Sequence, residues 1–316
     1  MLTTQSPAPA ATAVAIPRAL RVFAWLSFLA EVLIIATGGA VRLTGSGLGC
    51  PTWPTCTPES LVATPEMGIH GVIEFGNRTL TGLVGILALV VVALVWRMRR
   101  SRPDLFLLAA IVLGGVVAQA IVGGVTVLTG LNPFIVGFHY VVSVAMVSVC
   151  AAFLYRLDRP IGPRGRVVPT WYAILTHLAT LLMVITVAFG ILTTGAGPHS
   201  GDAAAGRNGF DAEVLQHIHA WPSYALVAVT LMLAAVAWAR RLPTRFWVSM
   251  LLLVEVVQIA VGLYQARNGL PEFAVGVHMV LAALLGAALT LTVLSLKREV
   301  AVAPESAATP ERIETS

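Results

Sequence analysis

Polar positions along this chain fall into clusters, and the apolar stretches between them are too long for the helices of a globular core. A helix of about 20 apolar residues crosses the hydrocarbon layer of a bilayer. Runs of that order lie near 21 to 41, 71 to 96, 104 to 129, 133 to 155, 168 to 194, 212 to 239, 243 to 266 and 271 to 296. The pattern predicts an all-α integral membrane protein of eight transmembrane helices. Residues 1–17 are rich in Ala, Thr and Pro, and residues 299–316 are polar with two prolines. Neither end has the apolar content to pack, and both are expected to be disordered tails. The first run continues into a Gly-rich loop and seven further runs, so it reads as an uncleaved anchor and not as a signal peptide.

Composition agrees and sets the orientation. Of 316 residues 57% are hydrophobic and 11% charged, which excludes the mixed, charged surface of a soluble domain this size. Sixteen of the twenty basic residues precede the first run or follow the second, fourth, sixth and eighth. Short loops rich in Arg and Lys stay on the cytoplasmic side, so both termini are expected in the cytoplasm. The same rule accounts for the net charge of +5, and nucleic acid is not expected as a partner. The near absence of Lys beside abundant Arg and Ala points to a bacterial chain and hence to the plasma membrane.

The chain carries an internal repeat. Gln119 to Val141 aligned with Gln258 to Val280 gives ten identities in 23 positions, among them Gly123 with Gly262, Gly137 with Gly276 and His139 with His278. The first and fifth runs also end alike, in Thr44-Gly-Ser-Gly and Thr194-Gly-Ala-Gly. Two pseudo-symmetric four-helix bundles are expected, 18–160 and 161–298, related by an axis along the membrane normal because each half holds an even number of spans.

Candidate chemistry follows the repeat. Five of the seven histidines begin even-numbered runs: His70, His139, His217, His219 and His278. His139 is six residues past Pro133 and His278 seven past Pro271. Each is thus roughly 10 Å inside its helix start, where a polar side chain usually marks a function. Two histidines from neighbouring helices of a bundle can reach opposite faces of a flat macrocycle, and imidazole is a common axial ligand of heme iron. His219 and His278 supply such a pair in the second half.

In the first half the segment equivalent to Gln216-His-Ile-His219 reads Glu74-Phe-Gly-Asn77, leaving His139 with Asn77, a poor iron ligand, opposite it. His70, Glu74 and Asn77 share one helix face, and Glu74 pairs either with a substrate or with Arg78. Arg42 and Arg78 lie where heme propionates would point, and Arg42 equally suits an interfacial anchor.

Cys50 and Cys56 share the first outer loop with five residues between them, as a disulfide, as two free thiols or as a pair in redox exchange. Cys150 reads as a small packing residue. His177, without a partner in the repeat, is expected to be satisfied structurally, and His199 to be a surface residue, a metal contact or part of a lid. Glu31 and Glu255 are buried acids expected to be paired or protonated.

At these motifs the chain resembles the heme A synthase family. The resemblance rests on Gly-Gly-Ala-Val-Arg-Leu-Thr-Gly-Ser-Gly-Leu-Gly-Cys-Pro-Thr-Trp-Pro from Gly38 to Pro54, on Ile-Glu-Phe-Gly-Asn-Arg from Ile73 to Arg78, and on Thr-Gly-Ala-Gly-Pro-His-Ser-Gly-Asp from Thr194 to Asp202. It implies oxidation of the methyl group at ring position eight of heme O to a formyl group, for terminal oxidase biogenesis. It also implies a resident heme b on His219 and His278, and heme O received as substrate at the face bearing His139 and Glu74. The family's cysteine pair maps onto Cys50 and Cys56. Many members carry Glu-x-x-His where this chain has Glu74-x-x-Asn77, so the second ligand of the substrate is open, with His70 expected to take part. Expected partners are heme O, membrane lipid, the enzyme that makes heme O, oxidase assembly factors and an electron donor of unspecified identity. The same histidines suit a diheme electron-transfer cytochrome, against which Asn77 speaks. A transporter with parallel repeats is a third reading, against which the clustering of histidines near one face speaks.

Overall fold

The structure, a computed structural model, describes residues 15–299, and eight of its helices are long and apolar enough to cross a membrane. In chain order they are α1 (Arg18–Leu43), α2 (Gly68–Trp96, entered by a 3-10 turn at Pro65–Met67), α3 (Pro103–Leu128), α4 (Pro133–Leu157), α5 (Thr170–Ala196), α6 (Ala212–Ala239), α7 (Arg245–Arg267) and α8 (Glu272–Leu294). All eight expected spans are present, and the protein is a multi-pass membrane protein. Leu29, Leu33, Ile86, Leu89, Leu181, Val184, Leu253 and Val256 are exposed along the helix flanks, as lipid-facing side chains should be.

Local chemistry sets the helix starts. Pro103 and Pro133 occupy the first turns of α3 and α4, where a missing N–H costs nothing. The Asn132 side chain accepts from Phe134 N at 3.0 Å, and Asp211 accepts from Glu213 N and Val214 N at 2.8 and 3.0 Å, so both cap free amides. The repeat reappears in the backbone. The α3–α4 turn passes through Gly130 and Leu131 at φ 61° and 59°, and the α7–α8 turn through Gly269 and Leu270 at φ 71° and 58°. Glycine enters this region without strain; each leucine that follows adopts it because the turn requires two such residues in succession.

Helices α1 to α4 pack as a ring, α1 on α2, α2 on α3, α3 on α4 and α4 back on α1, and α5 to α8 pack in the same cyclic order. The two rings meet chiefly along α4 and α8, with α1 also against α8 and α5 against α4. This seam holds the largest core cluster, including Val144, Val147, Ala151, Ala283, Leu285 and Ala288. Small residues on α8 let the backbones approach, as helix association in lipid favours. The Tyr140 hydroxyl crosses the seam to donate to Met279 O at 2.7 Å.

The arginine-rich end is tied by polar contacts. Arg102 donates to both oxygens of Asp104 at 3.0 and 3.1 Å and to Arg156 O at 2.7 Å, which joins the start of α3 to the end of α4. A two-stranded antiparallel sheet, β1 (Arg164–Arg166) with β2 (Lys297–Glu299), was not foreseen, and it corrects the expected tail boundary at 299. Glu299 lies opposite Arg164, with Arg164 Nε 3.6 Å from its carboxylate. The rest of the expected C-terminal tail, 300–316, and residues 1–14 of the N-terminal one lie outside the described residues. Pro17 borders α1, its carbonyl accepting from Arg21 N at 3.3 Å.

Arg102→Ala should lower stability by roughly 2–4 kcal/mol, the scale of breaking a buried charged network, read as the melting temperature of the purified protein in detergent. Arg21→Ala removes an exposed pair with Asp158 and should cost under about 1 kcal/mol. Equal shifts for the two would contradict the assignment of Arg102 as the tie.

Candidate functional site

The end of the bundle opposite the arginines opens into a cavity of about 900 Å³. Arg42, Glu74, Asn77 and His139 reach its wall from the first half, and His219, Glu255 and His278 from the second. The two sites expected from the repeat therefore share one continuous space.

In the second half the His219 and His278 rings face each other with centroids 6.3 Å apart and planes at 75°. His219 Nδ1 lies 2.8 Å from Thr186 O. A carbonyl oxygen only accepts, so Nδ1 carries the proton and Nε2 keeps its lone pair. A metal bound linearly between two imidazoles stands roughly 2 Å from each nitrogen, and each ring centre lies about 1 Å farther back, so the ring centres should be about 6 Å apart. The observed spacing fits. Among the described residues no His, Cys, Asp or Glu joins the pair as a third ligand. A bare ion would want three or four protein ligands, whereas iron in a macrocycle needs only two, one on each face.

Neighbouring glycines make room for each ring. A Cβ at Gly190 on α5 would stand 2.9 Å from His219 Cε1, one at Gly262 on α7 3.1 Å from His278 Cε1, and one at Gly123 on α3 3.4 Å from His139 Cε1. Each glycine precedes its histidine by one helix. Glutamines repeat likewise: Gln119 Nε2 donates to His139 O at 2.8 Å, and Gln258 Nε2 to His278 O at 3.1 Å. Sequence reasoning singled out the histidines but not this support, although Gln119 with Gln258 and Gly123 with Gly262 are identities of the repeat.

The first half differs. Thr37 Oγ1 donates to Asn77 Oδ1 at 2.8 Å, so the side chain opposite His139 is held by α1. His70 does not reach the cavity wall. It lies in the first turn of α2, exposed, with Nδ1 2.9 Å from Ser46 Oγ.

Glu74 and Arg78 anchor the outer loop. Cys50 and Cys56 are joined by a disulfide with Cα atoms 4.4 Å apart, and Cys150 is free and buried. Cys50 N donates to Glu74 Oε2 at 2.5 Å, and Arg78 donates to Glu74 Oε1. Arg78 also reaches the carbonyls of Thr52 and Cys50, each at 2.9 Å. The guanidinium expected to meet propionates is thus committed to the loop. Trp53 from that loop packs on Gly124 of α3, next to the glycine that receives His139. Leu263 stands at the matching position of the second half. Arg42 is freer: Nη2 donates to Thr194 O at 3.1 Å, while Nε is buried without an acceptor.

The remaining histidines divide. His199 Nε2 lies 2.9 Å from Leu270 O, tying the α5–α6 loop to the α7–α8 turn. His217 is exposed at the rim of the cavity. His177 is exposed on α5.

A model of a family of cytochrome oxidase assembly proteins matches residues 21–204. A protein of Listeria welshimeri named heme A synthase is 28% identical over 177 residues, 55% of this chain and 58% of its own. One of the same name from Lysinibacillus sphaericus is 32% identical over 186 residues, 54% of this chain and 57% of its own. Another from Geobacillus kaustophilus is 30% identical over 150 residues, 45% of each chain. The chain thus spans about half the length of the relatives it matches.

Glu74→Gln keeps the side chain's shape but gives up its charge-assisted bonds to Cys50 N and Arg78. A loss of about 1–3 kcal/mol is expected, with faster hydrogen exchange in the peptide covering Gly49–Thr57 and no change at β1 and β2. Unchanged exchange in that peptide would remove Glu74 as the anchor of the loop.

Proposed function

Because the chain belongs to the family of cytochrome oxidase assembly proteins, we propose that it is a heme A synthase, oxidising the position-eight methyl group of heme O to a formyl group. The observation that carries this reading is the inequality of the two halves around one cavity. The second presents two facing imidazoles, and the first a single His139 with Asn77 opposite. A relay between two like cofactors would be expected to complete both pairs.

In this reading the second half, residues 161–298, keeps a resident heme b on His219 and His278. The first half, residues 18–160, receives heme O with His139 toward its iron. The resident group supplies one-electron redox chemistry that side chains lack. The chain's own residues orient and enclose. Gly123, Gly190 and Gly262 hold the imidazoles in place, and the buried Nε–H of Arg42 is free to meet a propionate.

Glu74 and Asn77 line the first half, where Glu74 holds the Cys50 loop over the substrate and carries a proton when that contact opens. The methyl would be hydroxylated twice, each time consuming one dioxygen, two electrons from a reductant and two protons and releasing one water, and the resulting diol would lose water to leave the aldehyde. Arg78 acts through the loop. His70 is given no role, since it does not reach the cavity.

The proposed orientation puts the arginine-rich end and both termini in the cytoplasm of a bacterial plasma membrane. Heme O would arrive from the enzyme that makes it, and heme A would leave to oxidase assembly factors.

Membranes of cells making heme O should yield heme A on pigment extraction only when this protein is present, given oxygen and a reductant; its failure to appear would refute the synthase reading. His219→Ala or His278→Ala should abolish the low-spin b-type spectrum of the purified protein, and an unchanged spectrum would move the cofactor elsewhere. Glu74→Ala should retain that spectrum and lose product.

A further inference from the structure

Glu255 lies near the middle of α7 and is 2% exposed. Thr230 on α6 donates to its Oε1 at 2.8 Å, and Oε2 is buried without a partner. The residue is on the wall of the cavity that His219 and His278 also line. Gly262, which packs against the His278 ring, is seven residues farther along α7, roughly 10 Å on the helix axis. In the register of the repeat the first half has Val116 at this position, so the carboxyl belongs to the second half alone.

A carboxylate buried in a bilayer is costly unless a positive charge stands near it. Among the described residues Glu255 forms no ion pair. The titratable groups that the packed helices turn to this part of the cavity are His219 and Tyr224 from α6 and His278 from α8. Glu213 and His217 of α6 and Arg267 of α7 stand nearer its open end. No fixed cation on these helices balances a carboxylate here, so Glu255 is a neutral acid unless the occupant of the cavity supplies positive charge.

We propose that Glu255 is a proton-binding site coupled to the redox state of the group held by His219 and His278, an inference that rests on the resident-heme reading above. Ferric iron carries one more positive charge than ferrous iron. With the iron ferric, Glu255 is balanced as a carboxylate; when one electron arrives, that balance is lost and the carboxylate takes one proton from solvent to become a neutral acid. Reoxidation returns both. Electrons therefore enter the second half accompanied by protons, which limits the charge accumulating beneath the substrate site.

The test is a redox titration of the purified holoprotein with one-electron mediators, across the pH range in which it stays folded. The visible spectrum is taken first: absence of a low-spin b-type signal in the unaltered protein would refute the cofactor reading itself and is distinguishable from failure of this proposal. With the signal present, the midpoint potential should fall as pH rises, because the reduced form binds the proton more tightly. A tenfold difference in proton affinity between the two redox states corresponds to about 59 mV for a one-electron couple, and a fall of that order is expected between the low- and high-pH plateaus. E255Q should keep the spectrum and flatten the curve. A pH-independent midpoint in the unaltered protein, or the same fall in E255Q, would overturn the proposal and assign any pH dependence to propionates or other groups. Should E255Q fail to hold heme, Thr230→Val removes only the donor to Oε1. It should then move the sloping region to higher pH, since the carboxylate loses a stabilising bond; an unmoved region would overturn the proposal.

Discussion

Lipid offers no hydrogen-bond partner, so any polar group this protein carries between its helices must be held by the protein itself. That constraint governs the arrangement around the cavity. His219 is oriented by the Thr186 carbonyl, Asn77 by Thr37, and the carbonyls of His139 and His278 take second bonds from glutamines on the preceding helix. None of these supports comes from solvent. A ring that is free to rotate would lose the geometry a ligand needs, and the neighbouring glycines leave each imidazole the space it occupies, most tightly at Gly190 and Gly262.

The two halves use the same devices for different ends. The paired turns at Gly130–Leu131 and Gly269–Leu270, the paired glutamines and the paired glycines are common to both. Three of the differences bring a different side chain to the cavity: Asn77 against His219, Gly124 under Trp53 against Leu263, and Val116, packed in the core, against Glu255 on the wall. The first half brings Trp53, Glu74 and a single imidazole, that of His139, to the cavity, and the second brings His219, His278 and Glu255.

The cover on the first half depends on charge. Glu74 and Arg78, one turn apart on α2, neutralise each other, and together they present a carboxylate oxygen to the Cys50 amide and N–H groups to two loop carbonyls. The disulfide shortens the loop that they grip. Charge-assisted bonds of this kind are stronger than neutral ones where water is scarce, and this is how a loop of small and polar residues stays seated over a membrane cavity.

Much of this was legible in the sequence, because lipid imposes one-dimensional rules. Span length, the arginine bias and the repeat are properties of the chain order; span length determined the eight helices, and the repeat singled out the histidines worth following. Contacts between distant segments obey no such rule. That Arg78 serves the loop, that His70 stays outside while Asn77 lines the wall, that Glu299 pairs with Arg164, and that two expected sites form one cavity were decided by tertiary packing. The physical reason is that a side chain's partner depends on how helices tilt and how loops fold back, and neither is set by spacing along one helix.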